Sequence, residues 1–178
     1  LAARREGQRI VWQQPLRFVS AVTQQGGQFR IEDLLCESDF LTVRGSGNLG
    51  TAAFEINGDL KKLMERLRQF ATLDGWELAG TIEGQFTCQA ESGDAVASSA
   101  AELLGRPIQI AGDMLLTNPV IQLPGVAAWS EPQMRLVLNA TAQTTADGVV
   151  AISQGIAQVF LGDDVATLRL ADRIANIS

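Results

Sequence analysis

A strict alternation of apolar and polar residues runs through the middle of the chain and constrains its fold more than any other feature. Over the fourteen positions from Trp76 to Gln89, every second residue is apolar or glycine, and the residues between them are mostly polar. Successive side chains of a β-strand point to opposite sides, so this period of two predicts a strand with one apolar and one hydrated side. The apolar side comprises Trp76, Leu78, Gly80, Ile82, Gly84, Phe86 and Cys88.

The same alternation recurs on both sides of this segment. It predicts strands at 9–14, 16–24, 108–117, 134–143, 149–154, 155–161 and 165–170. Gly26-Gly27 and Asp147-Gly148 are typical of tight turns between such strands. Three further strands carry their apolar sides at Phe29, Ile31 and Leu35, at Leu41 and Val43, and at Phe54 and Ile56.

These patterns predict a mainly β fold with one helix. About ten strands joined by short turns form an antiparallel arrangement, either a curved antiparallel sheet or a two-layer β-sandwich. No shift in composition marks a domain boundary, so 1–178 is expected to be a single domain, with a subdivision into 1–90 and 106–178 as the alternative.

One amphipathic helix interrupts the strands, predicted from about residue 60 to 71. Asp59 is placed to cap it, and it is expected to end before Asp74-Gly75. A second short helix is predicted at about 95–104, with an irregular connection as the alternative, because residues 90–101 are small and polar. The apolar stripe of the first helix comprises Leu60, Leu63, Met64, Leu67 and Phe70.

Composition argues against most catalytic chemistry. The chain contains no His and no Tyr, which removes the usual general base and the commonest metal ligand. With 14 basic against 20 acidic residues, it has no excess of cations to meet phosphate, so nucleic acid is not expected as a partner. We therefore expect no enzyme activity, no catalytic residues, no metal and no cofactor. Cys36 and Cys88 are interpreted as two buried thiols.

Motifs that resemble functional sites have simpler explanations. Gly45 to Gly50 have the spacing of a dinucleotide-binding loop, but an alternating segment follows where that loop needs a helix. The acidic pairs Glu32-Asp33, Glu37 with Asp39, and Asp163-Asp164 are interpreted as solvated surface charges. The apolar sides of the strands remain as the candidate site, a core or a lipid-binding trough formed by Phe29, Ile31, Leu41, Val43, Phe54, Ile56, Trp76, Leu78, Ile82 and Phe86.

The chain lacks an initiator Met and any apolar run of about 18 residues, the length of a membrane-spanning helix. We expect it to be a fragment of a longer protein, with any membrane anchor outside this segment.

Over residues 10 to 90 the order of elements resembles a known family of repeats. Two strands, a glycine-rich turn, a further strand, the dipeptide Asp59-Leu60, an amphipathic helix and a long strand with spaced glycines follow one another. This order is similar to the degenerate repeats of AsmA-like and TamB-like envelope proteins of Gram-negative-type bacteria.

The resemblance implies a periplasmic protein anchored in the inner membrane, with a sheet whose apolar side is a trough. It also implies a non-enzymatic role in outer-membrane biogenesis or lipid transport. The implied partners are neighbouring repeats of the same parent chain, phospholipid and envelope proteins. The alternative function is a self-contained β-sandwich module that binds proteins through an edge strand.

Overall fold

A computed structural model describes residues 2–5, 8–11, 16–25, 28–48, 50–91, 106–144 and 150–170. These residues form twelve strands and one helix, so the mainly β prediction is confirmed. The predicted second helix at 95–104 and the predicted turns at 26–27 and 147–148 lie outside the described residues. The strands are β1 (Ala2–Arg5), β2 (Gln8–Val11), β3 (Arg17–Gln25), β4 (Gln28–Glu37), β5 (Leu41–Asn48), β6 (Thr51–Asp59), β7 (Glu77–Ala90), β8 (Pro107–Gln122), β9 (Trp129–Ser130), β10 (Gln133–Thr144), β11 (Val150–Leu161) and β12 (Asp164–Leu170).

Ten of these strands form one open antiparallel sheet. Its strand order is β12-β11-β10-β8-β7-β6-β5-β4-β3, with the two-residue strand β9 beside β8, so neighbours in the chain are neighbours in the sheet. The sheet is continuous between the two halves of the chain, because β7 and β8 pair from Glu77 and Gln122 to Ala90 and Ile108. β1 and β2 pair with each other in a separate two-stranded sheet.

The ten-stranded sheet is a single layer. Within the described ranges, its strands contact their neighbours in the sheet and the helix contacts β7 and β6, but no second sheet packs against it. Of the two predicted architectures, the structure therefore has the open sheet and lacks the sandwich. Buried residues are correspondingly few, and the apolar ones are Phe40, Leu60, Met64, Leu116, Pro119, Ala142 and Ala151.

The helix α1 (Leu60–Leu67) connects β6 to β7 and is shorter than predicted. Asp59 caps it as expected, because its Oδ1 accepts a hydrogen bond of 3.0 Å from the Lys62 backbone amide. Beyond Leu67 the bonding is mixed: the Phe70 amide donates to the Leu67 carbonyl three residues back, and the Ala71 amide donates to the same carbonyl four residues back, both at 3.0 Å. The predicted end at residue 71 is wrong, because an irregular turn with both kinds of bond follows Leu67 in place of a final α-helical turn.

Two strand predictions are corrected by extra residues that periodicity cannot reveal. In β4, Ile31 pairs with Gly47 but Leu34 pairs with Gly45, so three residues of β4 match two of β5. This bulge reverses the alternation, and Leu34 takes the side that had been predicted for Leu35. The strands predicted at 149–154 and 155–161 are one strand, β11, which has an irregularity of register between Ile152 and Gln154.

A third irregularity lies where β7 and β8 pair near Gly80. Ala79 pairs with Val120 and Thr81 with Thr117, so β8 contains an extra residue there, and Asn118 has a φ of 47°. Gly80 itself has a φ of 105°, and a Cβ at this position would lie 2.7 Å from the Asn118 carbonyl oxygen. Only glycine fits this close approach of the two backbones.

We expect Gly80→Ala to lower the free energy of unfolding by about 2–4 kcal/mol, since it adds backbone strain to a steric clash. Gly125→Ala is the matched control, because Gly125 also has a positive φ, 75°, but a Cβ there would have no atom within 4 Å. This control is expected to lose about 1 kcal/mol from strain alone. Urea denaturation followed by circular dichroism measures both, and equal losses would contradict the close approach.

Candidate functional site: the apolar face

Cross-strand register aligns the apolar residues of β4 to β12 into rows across one side of the sheet. Paired residues of neighbouring strands point to the same side, so each row is a line of adjacent side chains. We call this side the apolar face, and every residue in its rows is apolar, glycine or cysteine. Three rows span eight strands, and the two central ones run through Leu34, Gly45, Phe54, Phe86, Gly112, Leu138, Ala157 and Leu168, and through Cys36, Val43, Ile56, Gly84, Met114, Leu136, Val159 and Ala166.

Two further rows extend the apolar face on either side of these. A row of small and apolar residues lies toward one end of the strands, and a shorter row lies toward the end at which α1 is connected. The residues are Ile31, Gly47, Ala52, Cys88, Ile110, Ala140, Gly155 and Leu170 in the first row, and Leu41, Gly58, Ile82, Leu116 and Met134 in the second.

Large side chains of the apolar face lie over glycines of the neighbouring strand. A Cβ on Gly45 would be 2.5 Å from Cδ1 of Phe54, and a Cβ on Gly112 would be 2.6 Å from Cε1 of Phe86. The two phenylalanine rings therefore occupy the space that a side chain at each glycine would need. Met114 lies over Gly84 in the same way, with its Cγ 2.7 Å from the Cβ position. These contacts keep the apolar layer thin, because large groups lie along the sheet.

The opposite side of the sheet carries the charges. In β5, β6 and β7 the residues between those of the rows are mostly polar and exposed, as at Arg44, Glu55 and Glu83. On β8 and β10, Arg135 donates to both carboxylate oxygens of Asp113, with an Nε–Oδ1 distance of 2.8 Å. This charged hydrogen bond holds the pKa of Asp113 below its ordinary value. The charged side chains thus lie on the side opposite the apolar face, although from β8 onward that side also carries apolar residues such as Leu115 and Ile156.

The turn between β4 and β5 is tied to α1 at one end of the apolar face. The guanidinium of Arg66 donates to Oδ2 of Asp39, with an Nε–Oδ2 distance of 3.0 Å, so Asp39 is a half-buried ion-pair partner and its interpretation as a solvated charge is wrong. The Asp59 backbone amide, at the start of the helix, donates to the carbonyl of Phe40 at 2.9 Å. Phe40 is buried at this junction, and Met64 is buried on α1. These bonds hold the helix against the end of the sheet.

The structure places most of the predicted site residues in the rows. Ile31, Leu41, Val43, Phe54, Ile56, Ile82 and Phe86 occupy them, and Phe29 lies two residues before Ile31 with 41% of its surface exposed. Leu78 pairs with Ile121. Trp76 precedes β7 and is 44% exposed, so it is not part of a row.

Sequence reasoning left the second half of the apolar face out of the candidate site. Met114, Leu136 and Leu138 lie in rows with Phe54 and Ile56. Their alternation was visible, but only the pairing of β7 with β8 shows that both halves share one side of one sheet.

Cys36 and Cys88 are free thiols and lie in different rows of the apolar face. Three strand spacings separate β4 from β7, which is about 14 Å and exceeds the span of a disulfide. Burial raises the pKa of the Cys88 thiol, which favours its uncharged form. Within the described ranges, no cluster of three Cys, Asp or Glu residues is arranged to hold a metal ion.

The glycines of the glycine-rich segment lie in and beside two interior strands, Gly45 and Gly47 in β5 and Gly50 directly before β6. A Cβ on Gly47 would lie among backbone and side-chain atoms of Thr51 and Ala52. The Asn48 side chain accepts hydrogen bonds of 2.8 Å from the amides of Gly50 and Thr51. Gly45 and Gly47 thus allow the strands to pack closely.

Comparisons with known proteins do not identify a family for this chain. No protein-family model, no curated protein and no solved structure matches it. The resemblance to AsmA-like repeats therefore remains a prediction. In the part of the chain that the structure describes, no helix has the length and apolar character needed to span a membrane.

The cap at Asp59 makes the stability of α1 depend on pH. Its hydrogen bond from the Lys62 amide lowers the pKa of Asp59, so the cap stabilises the fold above the unfolded-state pKa of about 3.9. That stabilisation is lost as the pH falls through the lower, folded-state pKa. We expect Asp59→Asn, which keeps an acceptor oxygen but cannot titrate, to reduce the acid sensitivity of the urea midpoint.

The measurement compares urea midpoints of the natural chain and Asp59→Asn at neutral pH and at about pH 3, below the unfolded-state pKa. Glu65→Gln is the control, because Glu65 is an exposed carboxylate on the same helix. If the urea midpoint of Asp59→Asn falls between neutral pH and about pH 3 as much as that of the natural chain, the cap carboxylate does not contribute to the acid sensitivity.

Proposed function

We propose that this chain is a non-enzymatic segment of an AsmA-like periplasmic protein and that its apolar face holds the acyl chains of phospholipid. The segment acts in outer-membrane biogenesis or lipid transport, and a part of the protein outside this segment anchors it to the inner membrane. One observation carries the proposal: an uncharged apolar face extends across the sheet, and the described residues supply no second layer to cover it.

The size of the apolar face supports an occupant. Three rows that span eight strands and one that spans five, at spacings of about 4.8 Å between strands and about 6.8 Å between rows, cover roughly 590 Å², which is at the upper end of what soluble monomers expose. The largest apolar patch on a typical soluble monomer is about 300–600 Å². Exposure is greatest toward the edges of this side of the sheet, at Phe18 (61%), Val22 (56%) and Leu168 (69%).

The chemistry of the face favours acyl chains over a polar ligand. Its rows contain no charged or amide side chain, so they present no directional contact beyond a thiol. An acyl chain requires only a surface that excludes water, which such rows provide. The thin layer formed by rings over glycines also leaves space above the sheet for a chain to lie along it.

A protein-binding module is the second candidate, and the edge strand β3 favours it. In the described part of the chain, β3 pairs only with β4, which leaves its other side open. From Phe18 to Gln25 the strand has neither a charge nor a proline, the features that normally block an edge. Strand addition at β3 is also the way in which a neighbouring repeat of the parent chain would continue the sheet.

Lipid content tests the proposal. We expect mass spectrometry of the chain, purified without detergent, to detect phospholipid. Ile82→Asp places a carboxylate in the apolar face and is expected to reduce bound lipid at least about tenfold while the chain still unfolds cooperatively, since Ile82 is only half-buried. Thr87→Asp is the matched control on the opposite side of β7 and is expected to retain lipid.

Two results would contradict the proposal. A natural chain that is stable, monomeric and free of lipid would favour the protein-binding module. An Ile82→Asp chain that fails to fold, beside a normally folded Thr87→Asp chain, would mean that the apolar face is a closed core.

A further inference from the structure

A loop at one end of the sheet exposes a continuous run of apolar residues. It joins β8 to β9 and comprises residues 123–128, Leu-Pro-Gly-Val-Ala-Ala, which we call the apolar tip. All six residues are exposed, with 40% of Leu123 and 57% of Val126 accessible to solvent. A run of exposed apolar residues is typical of a surface that contacts another molecule, because the hydration of apolar groups is unfavourable.

The backbone of the apolar tip is a well-defined tight turn. The amide of Val126 donates to the carbonyl of Leu123 at 3.1 Å, and Gly125 has a φ of 75°. Proline in the second position and a left-handed glycine in the third are typical of a type II turn. Pro124 also packs beside the neighbouring turn, where a Cβ on Gly75 would be 3.3 Å from its Cα. The turn therefore holds the side chains of the tip outward.

Two tryptophans adjoin the apolar tip. Trp76 follows the Gly75 turn and is 44% exposed, and Trp129 follows the tip and pairs with Ile121. An indole has an apolar body and a polar N–H, so tryptophan favours the boundary between hydrocarbon and water. The exposed Arg68 donates to the Trp76 carbonyl at 2.7 Å, which places a cation beside this boundary.

Charge is absent from the sequence around the tip. Residues 114–130 contain no Asp, Glu, Lys or Arg, in a chain of which 19% is charged. The side chains of the tip also have no hydrogen-bonding groups that a protein partner would recognise. An exposed apolar turn suits a deformable partner that needs no directional contact, and the interfacial region of a bilayer is such a partner.

We propose that the apolar tip inserts into the interfacial region of a phospholipid bilayer and directs this end of the sheet toward the membrane. The inference rests on the proposed function, because a sheet that carries lipid must meet a bilayer where acyl chains enter or leave it. Leu123 and Val126 enter the apolar region, the two tryptophans lie at its boundary, and Arg68 lies at the level of the headgroups.

Flotation of the complete chain with phosphatidylcholine vesicles tests the inference. The natural chain is expected to float with the vesicles at low and at high salt, because apolar insertion does not depend on lipid charge. Val126→Asp is expected to reduce the vesicle-bound fraction about tenfold or more, since a carboxylate is strongly excluded from hydrocarbon. Ile156→Asp is the control, because Ile156 is 41% exposed in the middle of β11 on the side of the sheet opposite the apolar face.

Lipid bound to each purified chain is measured in parallel, so that the two proposals fail separately. Loss of flotation in Val126→Asp with bound lipid retained supports insertion by the tip. A natural chain that contains lipid but does not float overturns the inference and leaves the proposed function standing. Equal flotation of Val126→Asp and the natural chain also overturns it, as does tip-dependent cross-linking to a protein without vesicle binding.

A second variant guards against misfolding of the first. Ala127→Asp places a carboxylate at an exposed position of the same loop, outside the hydrogen bond that closes the turn. It is expected to lose flotation as Val126→Asp does. Circular dichroism confirms that both chains retain their strands, and flotation by a folded Ala127→Asp chain at the natural level contradicts insertion.

Discussion

Antiparallel pairing in a fixed register is the interaction on which the other features of this protein depend. Backbone hydrogen bonds between β7 and its neighbours align Phe86 with Phe54 on one side and with Gly112 on the other. Because side chains alternate between the two sides of a sheet, each such pair carries the segregation of apolar and charged residues one strand further. A slip of one residue would place Glu83 and Gln85 among the apolar rows.

A single sheet has to stabilise its apolar side without a facing layer, and the arrangement of large and small residues partly does so. Phe54 covers Gly45, Phe86 covers Gly112, and Met114 covers Gly84, so each large group buries surface against the neighbouring backbone. This packing within the layer leaves the face half-buried and available to an external apolar partner. The same feature that permits folding without a second layer thus supports the proposed lipid contact.

Periodicity predicted the strands and the composition of each side, as the run from Ile82 to Cys88 illustrates. It could not predict the bulge in β4, which places Leu34 instead of Leu35 on the apolar face. An inserted residue leaves the local pattern of apolar residues nearly intact. The end of α1 at Leu67 was missed for a similar reason, since Phe70 keeps the helical spacing although an irregular turn follows Leu67. The number of layers was also beyond the sequence, because alternation identifies an apolar side but not what covers it.

The strand order has a consequence for how the chain reaches its fold. Each long strand from β4 to β12 pairs with the long strand before it in the chain, so no pairing has to wait for a distant segment to be made. Closing the short loops between successive strands costs little conformational entropy, and contacts of low sequence separation form early. The growing edge of the sheet can therefore act as a template for the next strand, and assembly can proceed strand by strand as the polypeptide emerges from a ribosome or a translocation pore.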